Sequence, residues 1–243
     1  MLNWRFLLIV ISKKRIQVII MVIMIGILTF TIQVGGSLDK TKEVNSNIDN
    51  EKIIVLDAGH GTPDEGAQSK NGTTEAKINL NITYKTKELL EQNGYKVILT
   101  RTGDEAIYDS KCTTIKEMKN SDIKNRVKIG NESNADIFVS IHLNKIQQSQ
   151  YWGWQTFYKK GNEQGKKLSE NIQNNITEVI QKENKRVPLE INNIYIIKNV
   201  KIPTTIVECG FLSNEEEEKL LQDEEYQSKL ALGIYNGINE YFN

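Results

Sequence analysis

Histidine is nearly missing from this chain: 243 residues contain two. Cysteine is as scarce, with Cys112 in a polar stretch and Cys209 ending the apolar run TTIVEC. Two cysteines make no disulfide framework of the kind that staples small secreted domains, and no Cys112–Cys209 bridge is expected. An excess of charge is absent too, since 31 Lys and Arg balance 31 Asp and Glu. Removing Arg5, Lys13, Lys14 and Arg15, which precede an uncharged segment, leaves 27 basic against 31 acidic residues, near −4 for the remainder. Such a domain has no electrostatic footprint for nucleic acid. No internal repeat is visible.

Long hydrophobic runs are also lacking, with one exception. VIIMVIMIGILTFTI, residues 18–32, carries no charge, and the uncharged region extends from Ile16 to Ser37. A helix needs about 20 apolar residues to cross a bilayer. Lys13, Lys14 and Arg15 stand just ahead of this span and would hold the N-terminus in the cytoplasm, sending the rest outward. A cleaved signal peptide shares the basic start and apolar middle, but no clear A-x-A cleavage site is found near Gly35–Ser37. The expected organisation is a cytoplasmic basic N-terminus (1–15), a transmembrane anchor or signal segment (16–34), a flexible polar tether (35–51) and one exported catalytic domain (52–243).

Within that domain, short β-rich runs alternate with longer helical ones. KIIVLDA (52–58), YKVILTR (95–101), ADIFVSIHLN (135–144), WQTFYKK, IYIIK and TTIVECG read as strands. Residues 74–94 read as a helix closed by Gly94. Further helices are expected over 121–134, capped by Ser121 or Asp122, over 162–184, and over the two C-terminal stretches EEEEKLLQ and EEYQSKLALGIYNGINEYF. Strands apolar on both faces and interleaved with helices predict an α/β domain, with a mainly parallel sheet of about six strands flanked by helices.

Ligands of such sheets gather where the strands end, and both histidines stand at strand ends. His60 lies in DAGHG after the first strand, and His142 closes ADIFVSIH. Glu208 follows TTIV, and Glu75 opens the first helix. Two imidazoles and a carboxylate suit Zn²⁺, leaving a fourth position for water. A second carboxylate off the metal could then handle protons. Each residue alone has a plainer explanation: a turn histidine, or a helix-start acid favoured by the macrodipole. Glu208 is harder to explain away, because a buried unpaired carboxylate is costly. Residue types alone leave both readings standing.

DAGHG, GTTEAKINL, SIHLN and IVECGFLSN, in this order, resemble the zinc-dependent N-acetylmuramoyl-L-alanine amidases of the type 3 amidase family. The resemblance covers about residues 52–243. It implies that His60, Glu75 and His142 hold Zn²⁺, that Glu208 is the catalytic carboxylate, and that the substrate is peptidoglycan, cut between muramic acid and L-alanine. NRVKIGNESNADIFVSIHLN and IPTTIVECGFLSNEEEEKLLQDEEYQ look closer still to the germination-specific, cortex-modifying amidases of spore-forming Firmicutes, which act alongside a peptidoglycan deacetylase. Ala58 and Thr62 depart from the family's frequent Pro and Gly. The family's occasional helical plug has no counterpart in the short KIQQSQYWGW segment, so any restraint on activity would fall to expression timing or an envelope partner protein. Arg101 and Asn144 are candidate substrate contacts, with Arg126 and Asn214 as further cleft residues. Tyr151, Trp152 and Trp154 are expected to pack in the core rather than contact sugar. The rival readings are a zinc carboxypeptidase, which would need an arginine such as Arg101 or Arg126 for a terminal carboxylate, and a non-cleaving wall-binding module.

Overall fold

The computed structural model describes residues 51–243. The expected anchor at 16–34 and nearly all of the tether lie outside the described residues. Among the described residues, no helix is long and apolar enough to cross a membrane.

The chain runs β1 (Ile53–Ala58), α1 (Glu75–Gln92), β2 (Lys96–Leu99), α2 (Ile115–Glu132), β3 (Ile137–Asn144), β4 (Gln155–Lys159), α3 (Glu163–Ile180), β5 (Leu189–Ile191), α4 (Tyr195–Asn199), β6 (Thr204–Phe211), α5 (Glu215–Gln222) and α6 (Glu224–Phe242). The sheet order is β2-β1-β3-β6-β4-β5. Alternate residues of each strand feed two cores. Ile54, Leu56, Val139 and Ile141 point to one face and meet Ile78 and Ile82 of α1, Ile172 of α3 and Ile234 of α6. Val55 and Phe138 point to the other and meet Val127 of α2 and Ile196 of α4. Burial on both faces explains why these strands read as continuous apolar runs. Helices α3 and α6 approach closely, because a Cβ at Gly237 would lie 2.4 Å from the Ile172 Cα.

The sheet is mixed: four of its five strand pairings are parallel, in keeping with the mainly parallel expectation, and one is antiparallel. β2, β1, β3 and β6 are parallel neighbours, but β4 runs antiparallel to β6, and β5 pairs parallel with β4. The cause is the connection 145–154, which contains no helix. A crossover to a parallel strand needs a dozen or more residues, usually with a helix; this shorter segment stays at the sheet edge where β3 ends, so β4 starts there.

Three expectations fail locally. IYIIK is helical, with Lys198 N–H bonded to Ile194 O and Val200 N–H to Ile196 O. A short apolar run cannot by itself separate a strand from a buried helical turn. The sixth strand is instead Leu189–Ile191. Helix α2 starts at Ile115, not near Ser121: the Thr114 hydroxyl accepts from Glu117 N–H, and the Glu117 carboxylate returns to Thr114 N–H. Ser121 and Asp122 lie inside the helix, accepting from the backbone N–H groups of Asp109 and Ile107. Helix α3 stops at Ile180, where Gln181 turns left-handed at φ 55°. Cys112 and Cys209 are free thiols, as expected.

Candidate metal centre

Three strands and one helix deliver the site. β1 and β3 are parallel neighbours, as are β3 and β6, with His142 paired to Glu208 in register. Their carboxyl ends therefore open on one edge, and α1 begins there. Glu75, the first residue of α1, is 3% exposed. Its carboxylate is fixed by the backbone: Oε2 accepts from Ala67 N–H at 2.8 Å and Oε1 from Leu143 N–H at 3.0 Å. The Asn79 amide donates to Oε1 and to Gly59 O.

Both imidazoles converge on Glu75. His142 Nδ1 lies 2.9 Å from Oε1 and His60 Nε2 lies 3.4 Å from it. The rings meet edge to face with centroids 5.1 Å apart. One donor atom from each of His60, Glu75 and His142 falls within 4.8 Å of the other two. Burial would raise the Glu75 carboxyl, but the two histidines hold it well below the usual carboxylate range. Two imidazoles and one carboxylate drawn this close form a donor set suited to a metal ion.

The remaining nitrogen of His60 is also committed. His60 Nδ1 faces Asp64 Oδ2 at 3.2 Å, and Asp64 in turn meets Lys119 Nζ at 2.9 Å. Such a carboxylate fixes the tautomer and aims Nε2 at the metal position. Burial opposes the charge on His60, but the bonds to Asp64 and Glu75 outweigh it and raise the imidazole to about 9 without metal. Asp64 was not singled out from the sequence, although its position four residues after His60 was visible there.

His60 itself adopts a left-handed backbone, φ 62°, in which a non-glycine residue is strained. Two buried arginines hold the backbone around it. Arg126 donates to Ala58 O at 2.7 Å and His60 O at 2.5 Å, and pairs with Asp57 Oδ1 at 2.6 Å and with Asp122. Arg101 donates to Ala58 O, Gly59 O, Ala76 O and Gly103 O. Arg101 was expected to be a substrate contact, and its placement corrects that reading. It is 3% exposed, and its guanidinium is spent on carbonyls. The same holds for Arg126. Burial works against ionised Asp57, yet Arg126, Ser140 and Thr100 bring its pKa below the ordinary value.

Glu208 is the exception in this well-bonded edge. Its Oε2 is sealed from solvent and has no hydrogen-bond partner among the described residues. Burial, together with the charge of Glu75 and against the pull of the histidines, pushes its carboxyl up to about 7. An unpartnered carboxyl with a pKa near neutrality has the properties of a group that takes and returns a proton. Asn144 ends β3 at an irregularity in the β3–β6 register, partly exposed, with its side chain making no hydrogen bond among the described residues. Asn214 caps α5 and donates to Ser149 O, a structural role. Trp154 is fully buried, whereas Tyr151 is 45% exposed and departs from the core placement expected of it.

The family profile described as N-acetylmuramoyl-L-alanine amidase matches residues 54–240. This chain belongs to that family. It is an amidase, and the resemblance carried by its four motifs is the one the comparison recovers. It is 35% identical over 191 residues to the germination-specific N-acetylmuramoyl-L-alanine amidase of Bacillus subtilis (strain 168), covering 79% of this chain and 80% of that protein. Among solved structures, the CwlD amidase from Clostridioides difficile, determined in complex with the GerS lipoprotein, aligns at TM-score 0.76 and 47% identity, covering 79% of this chain and 98% of that one. An N-acetylmuramoyl-L-alanine amidase from Clostridium difficile 630 aligns at TM-score 0.70 and 31% identity, covering 79% and 97%.

Proposed function

We propose that this amidase is a zinc enzyme that hydrolyses the amide between the lactyl group of N-acetylmuramic acid and L-alanine in peptidoglycan. His60, Glu75 and His142 would hold the ion. The fit rests on their chemistry: two imidazoles and one buried carboxylate, with Glu75 oriented by Leu143 N–H and His60 by Asp64, are a zinc donor set. When bound, zinc supplies Lewis acidity that polarises an amide carbonyl and acidifies water.

The chain's own residues supply the rest. Glu208, one strand from His142, accepts a proton as water attacks and delivers it to the departing amine, so that L-alanine leaves with a neutral amino group. Asp64 keeps His60 in one tautomer, and the two arginines keep the 58–60 backbone from relaxing. The observation that carries this reading is the orphaned Glu208 Oε2 beside the His–Glu–His set. A binding module without chemistry would have no use for it.

Similarity to the germination-specific amidase and to CwlD supports a role in removing stem peptides from spore cortex, ahead of a deacetylase, so that muramic-δ-lactam can form. The GerS complex of CwlD supports an envelope lipoprotein as partner. The uncharged segment 16–34 supports anchoring to the cytoplasmic membrane with the catalytic domain outside. The carboxypeptidase reading leaned on Arg101 or Arg126, and both are occupied by backbone and buried acids.

Mass spectrometry of products from purified peptidoglycan tests the activity. Release of intact stem peptides beginning with L-alanine is expected. Release of D-alanine with stems left attached would sink the amidase reading.

A further inference from the structure

Three arginines lie in the described domain, and two are buried and committed. The third, Arg186, is different. It sits in the segment between α3 and β5, where Nε donates to Trp152 O at 3.2 Å and Nη1 to Gln155 Oε1 at 2.9 Å. Its Nη2 has no protein partner, and no carboxylate pairs with it among the described residues. Glu217 lies near but spends both oxygens on backbone, accepting from Gly153 N–H and Phe211 N–H at 2.8 Å each.

Arg186 borders a cleft of about 560 Å³ whose walls are the segments around Tyr151 and Asn184. Asn184 ties the two walls together, donating to Trp154 O at 2.7 Å, while its Oδ1 accepts from Arg186 N–H at 3.1 Å. Gly153, at φ 95°, leaves room for this, since a Cβ there would lie 2.9 Å from Asn184 Oδ1. Lys182 Nζ stacks 3.8 Å from the Trp152 ring centroid, and the Arg186 guanidinium lies 4.5 Å from that of Phe211 and 5.7 Å from that of Tyr151. On the cleft lining Lys185 and Arg186 outnumber the one acid, Glu183, beside the aromatic Tyr151 and Trp152, and Asn184 braces the walls before any ligand arrives.

Its position gives it meaning. Gln155, the partner of Arg186, is in register with Glu208 across the antiparallel β4–β6 pair. Directly opposed residues point to the same face and stand about 5 Å apart. Arg186 is therefore one strand beyond the proposed proton carrier, on its side of the sheet. A substrate with its scissile amide at Glu208 would reach the cleft within a residue or two.

We propose that Arg186 and the Tyr151 cleft form a subsite for a carboxylate of the stem peptide, downstream of the bond cut. This rests on the amidase reading. A guanidinium held by two bonds keeps a donor edge for a carboxylate, and the Phe211 and Tyr151 rings border it at 4.5 and 5.7 Å.

The test uses two muropeptide substrates, one with free stem carboxylates and one with those carboxylates amidated. Zinc-loaded wild-type protein, Arg186→Gln and Arg186→Lys are each assayed on both. The wild type is expected to favour the free-acid substrate by about tenfold in kcat/KM, through KM; Arg186→Gln should bring the ratio close to one, and Arg186→Lys should restore part of it. A second measurement needs no variant: raising the salt concentration should increase the wild-type KM for the acid substrate more than for the amidated one. A wild-type ratio near one, or an unchanged ratio in Arg186→Gln, would overturn the subsite. Products separate this from failure of the underlying reading, because D-alanine release marks a wrong reaction, whereas equal cleavage of both substrates to intact stems marks only a wrong subsite.

Discussion

Gly59 lies directly under His142: a methyl group at Gly59 would stand 2.2 Å from Cε1 and 2.3 Å from Nε2 of the ring. The residue before one proposed zinc ligand thus sets the position of another. Gly59→Ala is expected to push the imidazole out of place at a folding cost of about 1–3 kcal/mol, the usual range for overpacking. Zinc content should fall well below one per chain, and cleavage by at least about a hundredfold. A variant that keeps full zinc and full activity would show that the contact does not position His142.

Ligand and proton carrier should separate cleanly. His60→Ala or His142→Ala should lose zinc and activity together. Glu208→Gln should retain zinc and muropeptide binding while turnover falls by roughly 10²- to 10⁴-fold. Metal analysis, binding and cleavage on one Glu208→Gln preparation decide the assignment; loss of zinc would make Glu208 a ligand.

The stability of the metal-free protein and the gain from zinc should respond to pH in opposite senses. Without metal, His60 is raised above its ordinary value to about 9, and burial raises Glu208 and Glu217 to about 7. Each binds its proton more tightly folded than unfolded, so its contribution is greatest at low pH and is lost as pH rises through the folded value. Asp64 and Glu75, depressed in the folded state, act oppositely, and their contribution is lost in acid. The Tm of chelated protein should therefore fall between pH 6.5 and pH 9. Zinc requires the ligands deprotonated, so the Tm gain on adding it should grow over the same range. Calorimetry at fixed zinc concentration checks both; a gain that shrinks with pH would contradict the ligand set.

Arg126 and Arg101 should differ in cost. Removing Arg126 leaves Asp57 buried without its charge partner, and breaking such a pair costs about 3–5 kcal/mol. Arg126→Met should lower the urea midpoint accordingly. Arg101→Met removes donors from carbonyls but strands no buried acid partner of its own, so its loss should be smaller. If Arg101→Met instead raised KM with stability untouched, a substrate-binding role would return.

Much of this was legible because both faces of β1, β3 and β6 are covered. Full burial writes an uninterrupted apolar run, and the polar residue that breaks the run, His60, His142 or Glu208, marks the edge. Where local signals compete, reading was poorer. The true start of α2 was present as Thr114-x-x-Glu117, but the polar residues Ser121 and Asp122 offered an equally good cap about two helical turns later in the chain. Arg101 was misjudged because its partners are backbone carbonyls, which every residue has and no pattern reveals. The Asp57–Arg126 pair was missed for a related reason: it joins a strand to a helix 69 residues on, and that packing is not written in either segment alone; Asp64 stood in view four residues after His60, but nothing local marked it as a partner.

The reversal of β4 has a consequence for how such an enzyme can diversify. Because β3 ends and β4 begins at the same edge, the segment 145–154 has both of its roots beside the metal position. Residues added there extend outward from the mouth of the site and leave strand order, register and both cores unchanged. Entry to the active centre can thus be lengthened, narrowed or blocked by one local insertion, while the catalytic machinery underneath is inherited intact.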